Sequence, residues 1–89
     1  MTGSKLSCSS INRHVAARIR ERRSELGLFQ QDFAESLGVS QQAISKIESG
    51  SATISAGVLW SIANALATPA EFYFEGLVGH QVRGPGEGA

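Results

Sequence analysis

Apolar residues recur at helical spacing in five places along the chain, and turn-forming residues separate them. Ile11, Val15, Ile19 and Leu26 form the first stripe. They predict a helix from about Ile11 to Leu26, capped by Ser10 and stopped at Gly27. Phe33, Ala34 and Leu37 mark a second helix at about Gln30–Leu37, and Ala43, Ile44 and Ile47 a third at about Gln41–Glu48. Ala34 is small where these two must cross. Gly38 between them can take the left-handed conformation that ends a helix, and the Ser40 hydroxyl can cap the next one. After the polar loop Ser49–Thr53, with Gly50 as a second stop, Ser55 can cap a fourth helix reaching about Leu66. Its inward side would be Val58, Leu59, Ile62, Ala63 and Leu66. Thr68-Pro69-Ala70-Glu71 combines a capping box with proline at a first helical position. It predicts a short fifth helix to about Glu75, carrying Phe72, Tyr73 and Phe74. No stretch alternates as a strand does, and there is no internal repeat. The fold class is all-α, a compact five-helix domain.

The flanks read differently. Residues 1–9 are small and polar, a flexible leader. The segment from Gly76 to the end holds five glycines and one proline in 14 residues, too few packable side chains for an element. The predicted layout is therefore leader 1–9, domain 10–78 and Gly-rich tail 79–89. At 89 residues and 42% hydrophobic content the chain suits one globular domain, not a disordered protein. No apolar run approaches the roughly 20 residues of a membrane span, and the N-terminus lacks the core of a signal peptide, so cytoplasmic residence is expected.

Candidate chemistry is sparse. Cys8 is the single cysteine and has no basic or histidine neighbour that would make it a nucleophile. His14 and His80 share no metal-ligand spacing and read as surface residues. No titratable pair suggests acid–base catalysis, and no Gly-rich loop could cradle a phosphate. The expectation is a protein that is not an enzyme, without cofactor, metal or small-molecule ligand.

Charge changes the picture more. The net charge is zero, which weighs mildly against nucleic acid as a partner. Its distribution is lopsided. Lys5, Arg13, Arg18, Arg20, Arg22, Arg23 and Lys46 face four acidic residues up to position 46, whereas beyond it only Arg83 opposes four glutamates. A basic half turned to phosphates is compatible with DNA binding. Arg13, Arg18, Arg20 and Arg22 fall mostly outside the apolar stripe, where such a run is ordinarily a solvated face or a source of phosphate contacts. Trp60, Phe72, Tyr73, Phe74, Leu77 and Val78 offer more apolar surface than one small core needs and predict a homodimer contact, although half of them could instead close the monomer.

The words RIRERRSELGLFQQDFAESLGVSQQAISKIESG and LWSIANAL resemble the repressor/Cro-like (Xre) helix-turn-helix family of bacterial and phage regulators, over Ile11 to about Leu77. The resemblance implies a lambda-repressor-like DNA-binding domain whose second helix-turn-helix helix enters the major groove. It implies a phosphate contact for Gln30 and groove-facing roles for Ser40, Gln41, Gln42, Ser45 and Lys46. Ser49, Ser51 and Thr53 match the family's phosphate-contacting loop, and Arg23 with Glu48 matches a buried ion pair. A glutamine amide can pair bidentately with adenine, discriminating by about 1–3 kcal/mol. Gln41 and Gln42 also have a plainer reading as exposed helix surface and Ser49, Ser51 and Thr53 as plain loop, while the alternative for Arg23 is a DNA contact. Three departures stand out: Phe29 where a small polar cap is usual, Ile54 in place of proline, and Gly57 in the first turn of the fourth helix. The function implied is a sequence-specific transcriptional regulator, a repressor or autoregulator, binding double-stranded palindromic DNA as a homodimer. Alternatives are an antitoxin or restriction–modification controller of the same fold, or a protein–protein adaptor built on a degenerate helix-turn-helix, which the zero net charge would suit.

Overall fold

The computed structural model describes residues 8–77, and every described element is a helix. They run α1 (Cys8–Glu25), α2 (Gln30–Leu37), α3 (Gln41–Ser49), α4 (Ala56–Ala65) and α5 (Ala70–Phe74). Helix α1 packs on α3 and α5, α2 packs on α3 and α4, and α4 touches α5. Tyr73, Phe33, Ile19, Ile44, Ile62 and Leu66 are fully buried, so all five helices contribute to one core. Burying each such side chain stabilises by about 1.5–3 kcal/mol, which a domain this small needs in full.

The five expected helices are present, with local corrections. Helix α1 already includes Cys8, so Ser10 lies within its first turn and is not a cap; Ser9 instead accepts a hydrogen bond from Arg13 Nη1 at 2.9 Å. The helix therefore starts ahead of the expected leader boundary. Leu26 is 42% exposed, because α1 ends at Glu25 and the turn at Gly27 carries Leu28 onto the core in its place. Ala16, outside the predicted stripe, is buried. In α4 the Ser55 hydroxyl accepts from Val58 N–H as predicted. Val58 itself is 40% exposed, since Leu59, Ile62, Ala63 and Leu66 occupy the inward face.

The junction of α4 and α5 departs furthest from its local sequence. Pro69, not Thr68, holds the N-cap position of α5, and no side chain caps it. The Thr68 hydroxyl instead donates to Leu66 O at 2.8 Å and accepts from Arg22 Nε at 2.8 Å. A tertiary partner outcompetes the local capping box. Ala67 adopts φ 51°, the left-handed region that a Cβ makes costly. It persists because Thr68 N–H bonds Ala63 O and Ala67 N–H bonds Asn64 O, closing the end of α4.

Helix α1 holds α5 in place through charged side chains. Arg18 Nε donates to Phe72 O at 3.0 Å, its guanidinium carbon lies 3.8 Å from the Phe72 ring centroid, and Nη2 meets Glu75 at 3.1 Å. The His14 ring lies 2.6 Å from Glu75 O through Nε2 and so is not a bare surface residue. Tyr73 packs edge-to-face on Phe72, ring centroids 5.2 Å apart, and its hydroxyl makes no hydrogen bond of good geometry among the described residues. Burial pushes the Tyr73 pKa above its ordinary value, with the nearby Thr68 hydroxyl and the Arg22 guanidinium in partial opposition.

Candidate nucleic-acid interface

Helices α2 and α3 are joined by a turn whose geometry follows from three residues. Gly38 takes φ 71° and ends α2, with Val39 N–H closing on Ala34 O at 3.0 Å. Ser40 is extended, and its hydroxyl accepts Ala43 N–H at 3.1 Å, fixing the first turn of α3. At the head of α2, Phe29 offers no side-chain acceptor and is 76% exposed. Asp32 supplies what remains possible there, accepting Phe29 N–H at 3.2 Å.

Helix α3 divides cleanly into two faces. Ile44 and Glu48 are buried, with Ala43 and Ile47 half-buried beside them. Gln41, Gln42, Ser45, Lys46 and Ser49 are exposed. A polar surface therefore runs the length of α3 while its other side is locked into the core. Gln41 and Gln42 lie in the first turn, where a helix entering a groove presents its reading side chains.

The C-terminal end of α3 is anchored by an ion pair. Arg23 Nε meets Glu48 Oε2 at 2.6 Å and Nη2 meets Oε1 at 3.0 Å, while Nη1 donates to Leu28 O at 2.6 Å. Gln30 Nε2 donates to Glu48 Oε1 at 3.0 Å, and Arg20 Nη1 to Glu48 O at 3.1 Å. Glu48 thus ties together α1, the first residue of α2 and α3. Gln30 is partly committed to this network, with its amide oxygen and one N–H left over. Beyond Glu48, Gly50 takes φ 83°, and a Cβ there would stand 2.8 Å from Arg13 Cγ, so α1 passes directly against the turn.

The Ser49 and Ser51 hydroxyls turn back to Lys46 O at 3.0 and 3.3 Å, and lie 2.9 Å from each other. They help satisfy the carbonyl end of α3, and both residues remain exposed. Thr53 is exposed.

Of the residues expected at a dimer contact, Tyr73 is removed: it is fully buried and closes the monomer core. Phe72 is half-buried beneath Arg18. Trp60 at 70% exposed, Phe74, and half-buried Leu77 remain at the surface, while Val78 lies outside the described residues. Trp60 stands as a ridge between two shallow grooves, one lined by Ala63, Ala67 and Pro69, the other by Ile54, Leu59 and Phe74.

Sequence reasoning missed Arg20 and Arg13 as neighbours of the α3 end and Asp32 as a substitute cap. Only Asp32 carried a local signal, an acidic residue three positions after a helix start. Among the described residues no group of His, Cys, Asp or Glu is placed to hold a metal, and no helix is long and apolar enough to cross a membrane.

An anchored helix with a polar outer face, set behind a glycine turn and a capping serine, defines a helix-turn-helix protein. The chain belongs to the helix-turn-helix family HTH_3, whose model matches residues 19–73. An uncharacterized transcriptional regulator in the ATPase CF(0) region of Rhodospirillum rubrum is 45% identical over 67 residues, 75% of this chain and 62% of that protein. An uncharacterized HTH-type transcriptional regulator of Sinorhizobium medicae is 39% identical over 79 residues, covering 89% and 57%. The chain thus spans about three-fifths of the length of these curated relatives. Among solved structures, the clp gene regulator ClgR from C. glutamicum superposes with a TM-score of 0.70 at 25% identity, over 72% of this chain and 83% of that one. The restriction–modification controller C.AhdI from Aeromonas hydrophila gives 0.69 at 25% identity, over 73% and 98%.

Proposed function

We propose that the protein is a sequence-specific, non-enzymatic DNA-binding transcriptional regulator, acting in the cytoplasm as a repressor or autoregulator. The observation that carries this reading is the division of α3, with Gln41, Gln42, Ser45 and Lys46 exposed along a helix held rigid from behind by Ile44 and the Arg23–Glu48 pair. An adaptor would have no need of such a face. Gln41 and Gln42 read base edges, Lys46 and Gln30 contact phosphates, and Ser40 and Ser45 flank them. Thr53 adds a loop contact, while Ser49 and Ser51 shape the loop.

One recognition helix touches too few base pairs for useful specificity, so two copies act together on a palindromic site with half-sites about 34–36 Å apart. The exposed ridge of Trp60, with Phe74 and Leu77, is the surface proposed to join them. A restriction–modification controller is the second reading, favoured by the likeness to C.AhdI over 98% of that chain. Selection of bound sequences from a random duplex pool tests the proposal. A recovered palindrome supports it, and failure to enrich any motif would sink it.

A further inference from the structure

We propose that Arg13 and Arg20 of α1 join Lys46 in a phosphate-binding seat at the C-terminal end of α3, so that α1 forms part of the DNA interface. The inference rests on the DNA-binding reading above and extends it to a helix outside the helix-turn-helix.

Residues 8–77 contain six arginines and lysines: Arg13, Arg18, Arg20, Arg22, Arg23 and Lys46. Three are matched by carboxylates, Arg18 by Glu21 and Glu75, Arg22 by Glu25, and Arg23 by Glu48. The other three have no carboxylate within 4.0 Å among the described residues, and they are not scattered. Lys46 is exposed in the last turn of α3. Arg20 donates to Glu48 O in that same turn. The stem of Arg13 lies against Gly50, the residue that ends α3, while its Nη1 donates to Ser9 Oγ on α1. Among the described residues, these three cations thus belong to the last turn of α3 or to the part of α1 packed against its end.

Complementing the carbonyl end of α3 accounts for one of them, since the partial negative charge there is about half a unit. Arg20 serves that need through Nη1 and Glu48 O, and its other guanidinium N–H groups are left for an anion. Arg13 and Lys46 are surplus to it. The carboxylate of Glu48 offers them nothing, because Arg23 and Gln30 occupy it. Arg13 and Lys46 are both exposed, so their charges are available to an external anion. When the N-terminal turn of α3 reads the groove floor, its C-terminal end and the following loop lie along the sugar–phosphate backbone at the groove's edge. In the free protein the hydroxyls of that loop turn to Lys46 O. The guanidinium groups of α1 add fixed positive charge beside them.

The test is a salt titration of binding to a random-sequence duplex and to the selected site, for the wild type and for Arg13→Gln with Arg20→Gln. Removing one phosphate-neutralising cation makes the negative slope of log K against log salt shallower by about 0.9. The slope of the double variant is expected to become shallower by about twice that per protomer, on both duplexes. Arg13→Lys with Arg20→Lys, which keeps the charge, should hold the wild-type slope; Arg18→Gln, paired within the protein, should leave it unchanged. Circular dichroism confirms that each variant is folded. A wild type that binds no duplex overturns the DNA-binding reading and this one with it. A wild type that binds, with a slope the double glutamine variant does not change, overturns the α1 seat alone.

Discussion

Arg23 grips Glu48 through two hydrogen bonds of 2.6 and 3.0 Å, with the Glu48 side chain only 2% exposed and that of Arg23 13%. The two residues lie 25 positions apart and join the first helix to the end of the third. Removing one member leaves an uncompensated charge in a site closed to water, at a cost of about 3–5 kcal/mol. Glu48→Ala should therefore lower the urea midpoint sharply or prevent folding. Replacing both partners with apolar residues of similar volume, Arg23→Met with Glu48→Leu, should recover much of that loss. A single variant as stable as the wild type would show that the pair is solvated in solution.

Gln41 and Gln42 stand in the exposed first turn of α3 and take no part in the core. Gln41→Ala with Gln42→Ala should change stability by less than about 0.5 kcal/mol. It should nevertheless erase preference for the selected site and leave weak, salt-sensitive binding. Competition of the selected duplex against random duplex reads this directly; a retained preference would displace the reading role to other residues.

Ala67 sits at φ 51° between α4 and α5. Glycine there is free of the Cβ conflict, and Ala67→Gly is expected to stabilise by about 1 kcal/mol despite the added freedom of the unfolded chain. For a domain of this size that is a rise of about 4–8 °C in Tm, measurable by thermal melting. Gly50→Ala should act in the opposite direction, combining a positive φ with a 2.8 Å approach to Arg13 Cγ.

Tyr73 is the single tyrosine of the chain, so its ionisation can be followed by absorbance. Its folded pKa is raised above 10.0 by burial. Below that value both folded and unfolded states hold the proton, and the contribution to stability is fully present. As pH rises beyond it the unfolded state releases its proton first, so the folded state binds more protons and stability falls until the folded pKa is passed. Tyr73→Phe should flatten this alkaline loss. It should also cost little at neutral pH, because the hydroxyl lacks a well-formed hydrogen bond. A Tyr73 that titrates at its ordinary value in the folded protein would contradict the burial.

Trp60 is the single tryptophan and 70% exposed. If it joins two copies, its fluorescence should shift to shorter wavelength with increasing protein concentration, in step with mass measured by equilibrium sedimentation. Trp60→Ala should weaken association by about 2 kcal/mol or more, the scale of an interface hot spot. A monomer at all concentrations, alone and on DNA, would end the dimer proposal.

Five helices, the Gly38 and Gly50 stops, and the Ser40 and Ser55 caps were legible in the chain because each depends on neighbours within four residues. The exposed set of α3 was legible for the same reason: residues 44 and 48 turn inward and 41, 42, 45 and 46 then have to face out. Local pattern alone also misled. Thr68 carries every sign of a cap, yet Arg22, 46 residues away, claims its hydroxyl. Tyr73 belongs to an aromatic run that looks like surplus surface, yet its ring completes the core between α1 and α5.

Local sequence determined which segments are helical, where they stop and which face of each is apolar, since hydrogen bonds and side-chain spacing within a turn suffice for that. Only the tertiary structure decided how the arginines of α1 divide their work. Arg18 and Arg22 hold α5, Arg23 anchors α3, and Arg13 and Arg20 lie beside the α3 end without a carboxylate partner among the described residues. A charge's role depends on what the fold brings within a few ångströms of it, and partners 25 to 57 positions away leave no periodic trace in the chain.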